Sequence, residues 1–378
     1  MPEIVLHVGA FKTGTTYIQS ALWANRRSLA QAGVLYPGGH RNSQSLAVKK
    51  LLDRERPRPS EGTNASPLPK RWQAIADEAA AWNGTVAIIS MEFLAAVGSG
   101  RRREVVESFA PHPVRVVFAA RPLTRLLPSQ WQNTLRWGRA WRYEEYVQDV
   151  LLGPQHRSIA SAHFWRRHHW PRILRRWQRT PGVKSVCFLI VPNAAPPDLL
   201  WHRFAAAAGI PPPRHDPPPR SNESLSAEAA ELLRRYNMEG RDLADAGYQS
   251  RLRDLVALLR HTSQDSSVRT HRLGFPSQHV PRAQAITADL ISATLRARPA
   301  VVGDVQELWP TADTRGAGDV AEPSKLSDVE LLPLLNAVAR QLEPRRAGPS
   351  DVHDVVDGTA EFHRSLLRLH TPELWARR

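Results

Sequence analysis

Five short apolar runs in the first 190 residues, at 4–8, 34–36, 86–90, 114–119 and 185–191, are rich in Val and Ile and do not alternate with polar residues. A strand buried on both faces reads this way, whereas a strand with one wet face alternates. Stretches of helical periodicity at 16–32, 71–82, 123–137 and 163–179 separate the runs. Strands joined by helical crossovers predict an α/β fold in three layers, a central parallel sheet with helices on both faces. With 378 residues and 42% hydrophobic content, the chain can bury a large core.

Two segments interrupt the alternation. Residues 56–69 combine Arg, Pro, Ser, Gly and Asn and predict an exposed loop. Residues 211–219, with six prolines, close the α/β part. Beyond them helical patterns occupy 226–237, 241–261, 282–298, 327–342 and a last stretch from about Val352. The predicted organisation is an α/β core over 1–210 and a mainly helical C-terminal part over 220–378 packed on it.

The lone cysteine, Cys187, sits inside an apolar run, so no disulfide forms within the chain and the thiol reads as a packed core atom. Residues 3–8 enter a strand at once, without a basic region and apolar leader, and no run of about 18 apolar residues occurs. A cytoplasmic chain with no membrane partner is the expectation. The net charge of +15 invites an anion, because a positive field raises anion concentration and on-rate. Only six of the 51 basic residues are lysine, a skew that GC-rich codon usage also produces, so charge alone does not choose between nucleic acid and a small anionic cosubstrate. No helix, zinc or RNA-binding signature is present, which favours a small-molecule partner over nucleic acid.

The strongest local signal is His7-Val-Gly-Ala-Phe-Lys-Thr-Gly-Thr-Thr16, between the first strand and a helix that begins with Tyr17. Successive backbone N–H groups of such a turn point at one anion, and the helix dipole adds to the attraction. Gly9 and Gly14 have the spacing of a Walker A loop, yet Thr15 stands where an ATPase has its lysine, and the lysine has moved to Lys12. A loop without the Walker lysine suits a shorter anion chain than a nucleoside triphosphate. Glycine turns between strand and helix are also common without any ligand.

The loop, with Asn25-Arg26 and residues 29–37 after it, resembles the 5′-phosphosulfate loop of sulfotransferases that use 3′-phosphoadenosine 5′-phosphosulfate (PAPS), especially the bacterial family beginning H-x-G-x-x-K-T-G-T-T. The similarity continues through Trp177, residues 200–209, Arg220-Ser-Asn-Glu-Ser-Leu225 and Val302-Gly-Asp-Val-Gln-Glu-Leu308, covering about 310 residues. The resemblance implies a P-loop-like fold, PAPS as cosubstrate without metal, and transfer to a hydroxyl or amine of a small-molecule or carbohydrate acceptor. On it, Lys12, Thr13, Gly14, Thr15 and Thr16 hold the 5′-phosphosulfate, and Lys12 also serves catalysis.

A separate 3′-phosphate needs a second anion site. The strand 114–120 delivers Arg121 at its carboxyl end, where ligands of open α/β sheets bind, and its planar fork suits phosphate. Arg121 with Ser129 resembles the family's 3′-phosphate motif. Tyr17 stands where cytosolic relatives stack an aromatic on adenine, and Arg220, Asn222 and Ser224 resemble a further nucleotide contact. The base is expected at Glu92, just past the strand 86–90, with His7 and His40 as secondary candidates. The residues leave other readings open: a sheet-edge ion pair for Arg121, a core ring for Tyr17, and a magnesium ligand or structural carboxylate for Glu92. The basic, aromatic stretch 163–179 suits contact with an acidic acceptor or nucleic acid, but Ile173, Leu174 and Trp177 fit one face of an amphipathic helix, which favours ordinary packing. A P-loop kinase or NTPase and a basic nucleic-acid-binding protein are the competing functions.

Overall fold

The structure is a computed structural model that describes residues 1–53, 68–193, 196, 198–211, 224–239, 248–265, 268–312 and 320–342. Its strands are β1 (Glu3–His7), β2 (Val34–Leu35), β3 (Val86–Ser90), β4 (Val114–Ala120), β5 (Val183–Ile190), β6 (Arg272–Leu273), β7 (Ala300–Val302) and β8 (Val320–Ala321). The helices up to β5 are α1 (Thr15–Ala24), α2 (Arg26–Gln31), α3 (Ser43–Asp53), α4 (Lys70–Ala80), α5 (Ser99–Glu107), α6 (Leu123–Leu135), α7 (Tyr143–Leu151), α8 (Ile159–His168) and α9 (Trp170–Gln178). After β5 come α10 (Leu199–Ala208), α11 (Ala227–Glu239), α12 (Tyr248–Thr262), α13 (Val280–Arg296) and α14 (Asp328–Leu342). The predicted last helix, most of the loop 56–69 and most of the proline segment 211–219 lie outside the described residues.

Six strands form one parallel sheet in the order β2-β3-β1-β4-β5-β7, flanked by helices in a three-layer α/β fold. Alternate side chains go to opposite faces. Val5, Val117, Ala119, Cys187 and Leu189 join Ile18 and Leu22 of α1 and Trp201 and Phe204 of α10 in one buried cluster. Phe118 and Phe188 stack with centroids 6.5 Å apart, and Trp170 of α9 packs on Phe188 at 6.0 Å. Each such side chain, fully withdrawn from water, stabilises by about 1.5–3 kcal/mol, so the sheet is held from both sides. Cys187 is buried, and burial pushes its thiol up to about 11, the state of a packed apolar atom.

Two expected single helices are each divided. The stretch 16–32 breaks at Asn25, whose side chain donates back to the Ala21 carbonyl at 2.9 Å. The stretch 163–179 breaks at His169, because Pro171 opens a new helix and the His169 ring accepts from the Arg172 N–H at 3.3 Å. Ile173, Leu174 and Trp177 are buried on α9, as the periodicity predicts.

The chain forms two compact units, one of residues 1–126, 157–222 and 282–310, the other of 127–156, 223–281 and 311–378. This division differs from a boundary near residue 210. Residues 300–302 return to pair with β5, Phe188 opposite Val301, so 282–310 belong with the sheet. In the second unit, Gln132 clamps Leu225 through both its backbone groups, at 2.8 and 3.2 Å, and Tyr143 donates to the Gly274 carbonyl at 2.7 Å. Among the described residues, no helix is long and apolar enough to cross a membrane.

Candidate functional site

Because β1 is central and parallel to its neighbours, the carboxyl ends of β3, β1 and β4 open onto one edge. The register aligns His7 with Ser90 on one side and with Val117 on the other. The chain leaving β1 therefore runs between the chain leaving β3, which carries Glu92, and the chain leaving β4, which carries Arg121. Ladder bonds extend past the strands, with Met91 N–H donating to the His7 carbonyl and Ala10 N–H to the Ala119 carbonyl, both at 2.9 Å.

The loop reverses direction through left-handed backbone at Gly9 (φ 105°), Lys12 (φ 62°) and Gly14 (φ 84°). Gly14 is the residue before α1, whose first turn has no acidic side chain and no side-chain cap. The first N–H groups of a helix have no carbonyl partner within it, and at such a turn they form the kind of end that suits an anion. Gly9 is needed for contact as well as for its φ. A Cβ there would stand 3.0 Å from the Glu92 Cβ and 3.1 Å from its Cα, so only a bare backbone lets the loop press against Glu92. Thr13 is fully buried and donates its hydroxyl to the Ala10 carbonyl at 2.6 Å, so its side chain braces the loop from within.

Glu92 begins a short 3₁₀ turn and is half-buried. Burial raises its pKa above the usual carboxylate range, opposed by its own backbone N–H, by Gln19 and by the positive charge of Lys12. Gln19 of α1 donates to the Glu92 carboxylate at 3.2 Å and to the Ser90 carbonyl at 3.0 Å, which fixes the end of β3. Gln44 of α3, itself buried, donates to the Ile88 carbonyl at 3.2 Å and accepts from the Ser90 N–H at 2.8 Å. Neither glutamine belongs to a motif, and sequence reading passes over both. The field of Glu92 reaches buried Tyr36, whose pKa is raised by burial first and then by Glu92.

Arg121 faces the loop from the opposite side. Its guanidinium donates to the Lys12 carbonyl at 3.0 Å. Burial, and next the nearby Arg125, pushes its pKa down to about 10, which leaves it cationic at neutral pH. One of its donors thus serves the loop itself, a tie that follows from the left-handed turn at Lys12. Ser129 is half-buried on α6, in the part of that helix belonging to the second unit.

The remaining expected residues take different places. Thr15 is buried at the first position of α1, and Thr16 is half-buried beside it. Tyr17 is half-buried against the sheet core, its pKa raised by burial and by Asp198. His7 is fully buried, with Nδ1 2.8 Å from the Ser90 hydroxyl and its ring edge-on to Phe204 at 5.2 Å. Burial holds its pKa down to about 3, so it is a neutral strut and unsuited to exchange protons near neutrality. His40 is exposed, accepting from the Asn42 N–H at 3.3 Å. Arg220 and Asn222 lie outside the described residues, while Ser224 is exposed.

Beyond β5, the same edge is braced by Arg203, which donates to the Ile190 carbonyl at 3.0 Å and pairs with Glu307. Asn193 donates to the Glu307 carbonyl at 2.7 Å, and Arg125 in turn donates to the Asn193 carbonyl. These ties join residues 200–209 to residues 302–308, two of the segments that carry the resemblance. Comparison of the chain with protein-family models, with curated proteins and with solved structures finds no match.

Proposed function

We propose that this protein is a PAPS-dependent sulfotransferase that acts without metal on a hydroxyl or amine of a small acceptor. One observation supports it above the others: the loop around Lys12 is flanked by Glu92 against Gly9 on one side and by Arg121 bonded to Lys12 on the other. In this reading the loop amides and Lys12 hold the 5′-phosphosulfate, and the remaining donors of Arg121 take the 3′-phosphate. The acceptor oxygen or nitrogen attacks sulfur while the bond from sulfur to the 5′-phosphate oxygen breaks. Adenosine 3′,5′-bisphosphate leaves with that electron pair, and the acceptor's proton passes to Glu92. Lys12 and the amides stabilise the charge growing on the leaving oxygen, the larger share of catalysis in such in-line transfers. The raised pKa of Glu92 supports its role, since a base whose pKa approaches the working pH transfers protons best. The single buried thiol and the small-molecule partner are in keeping with a cytoplasmic enzyme.

Calorimetry with adenosine 3′,5′-bisphosphate and with ATP, each with and without Mg²⁺, tests the reading. The bisphosphate is expected to bind equally with and without the metal, and more tightly than ATP. Tight binding of ATP that requires Mg²⁺ would instead support a kinase or NTPase.

A further inference from the structure

Gln19 belongs to the second turn of α1, with Thr16 and Thr15 three and four residues before it and so on the same side of the helix. The helix whose start is assigned to the 5′-phosphosulfate therefore also presents Gln19 to the end of β3. Its Nε2 donates to the Ser90 carbonyl at 3.0 Å and to Glu92 Oε2 at 3.2 Å. A side-chain amide carries two N–H donors on one atom, and a carbonyl and a carboxylate both accept, so the two partners together require the nitrogen on that side. Turned over, the amide would set its oxygen against two other oxygens. The bond to Ser90 thus aims the second N–H at the carboxylate.

Ser90 keeps its place by other means. Its N–H donates to Gln44 at 2.8 Å, its hydroxyl lies 2.8 Å from His7 Nδ1, and the sheet register sets it opposite His7. Gln19 accordingly uses a fixed carbonyl as an anchor, and its effect falls on Glu92. That side chain sits on a short 3₁₀ turn against Gly9, where its carboxyl would otherwise turn about its last bond, a soft torsion. Burial pushes Glu92 toward its protonated form, and its own backbone N–H, Gln19 and the charge of Lys12 oppose this. A donor to the carboxylate favours the ionised form. From β2, buried Tyr36 feels the same carboxylate and the countering charge of Arg41.

We propose that Gln19 is the positioning residue of the base, holding the Glu92 carboxylate in one orientation beside the anion loop and in the ionised form that takes the substrate's proton. The inference rests on the sulfotransferase reading for the word base, and on the two hydrogen bonds of Gln19 for the hold on Glu92.

The test separates these two parts. Glu92 is titrated by carbon-13 NMR of the glutamate side-chain carboxyls in the protein without ligand, its resonance assigned by its absence from Glu92→Gln. Gln19→Leu keeps the bulk and loses the donor, and the Glu92 pKa is expected to rise by about one pH unit. Gln19→Lys supplies a cationic donor, and the pKa is expected to fall below that of the wild type. A loosened helix moves both variants the same way, so the opposite signs exclude a merely structural role, and either variant alone decides the sign if the other does not fold. An unmoved pKa, or a shift of one sign in both, overturns the proposal. The pH profile of single-turnover sulfuryl transfer from labelled PAPS, to an acceptor found by screening hydroxyl and amine compounds, should shift with the titration. A profile that stays in place while Glu92 shifts overturns the positioning role. Opposite pKa shifts with no turnover in any of the proteins would count against the sulfotransferase reading, while the hold of Gln19 on Glu92 would stand.

Discussion

Acid should weaken this fold through His7, and the size of the effect follows from its surroundings. Burial lowers its pKa from 6.5 to about 3, so the folded chain keeps the ring neutral while the unfolded chain protonates it. A depressed folded pKa means a contribution that is complete above 6.5 and is lost as pH falls toward 3. Within that window the loss runs at about 1.36 kcal/mol per pH unit, or roughly 2 kcal/mol between pH 7 and pH 5. His168, fully buried against Phe164 and also held down to about 3, should add a similar loss. The perturbation is His7→Asn, which keeps a nitrogen near the position of Nδ1 for the Ser90 hydroxyl but does not titrate. The smaller side chain leaves space beside Phe204 at a pH-independent cost of about 1–3 kcal/mol, which cancels when the two pH values are compared. Urea unfolding of both proteins at pH 7 and pH 5 should show a decline in the variant smaller by roughly 2 kcal/mol. An identical decline would refute the claim that His7 is buried and neutral.

Two further outcomes are expected. Gly9→Ala must place a Cβ at φ 105° and 3.0 Å from Glu92, which costs about 2–5 kcal/mol from backbone strain and overlap together. A lowered urea midpoint accompanied by loss of bisphosphate binding checks it. Arg121→Ala removes the donor to the Lys12 carbonyl and a cation from the edge, so bisphosphate affinity should fall by about 10–100-fold. A midpoint near wild type would show that the loss is local.

The sheet was legible because its first five strands are apolar on both faces, and that burial writes itself into sequence as unbroken Val and Ile. β7 left no such trace, being three residues at the edge, two of them exposed. Residues 282–310 join the sheet through this strand and through ties such as Arg203 to Glu307 and Asn193 to the Glu307 carbonyl, none of which periodicity reveals. Lys12, Glu92 and Arg121 could be placed together from sequence because each follows a parallel strand, and parallel strands end on one edge. What holds them could not. Gln19 and Gln44 are ordinary polar residues until α1 and α3 pack against the end of β3, and the bond from Arg121 to Lys12 depends on a left-handed turn at a lysine.

The account depends most on Glu92. Its raised pKa predicts a rate that climbs with pH as the carboxyl loses its proton, and Glu92→Gln removes the base while preserving shape and the partner for Gln19. The decisive measurement is single-turnover conversion of sulfur-labelled PAPS in the presence of a chelator, with an acceptor found by screening hydroxyl and amine compounds on the wild type, wild type against Glu92→Gln, with bisphosphate affinity measured on both. A fall in rate of about 10²–10⁴ at unchanged affinity is predicted. Equal rates in the two proteins would contradict it.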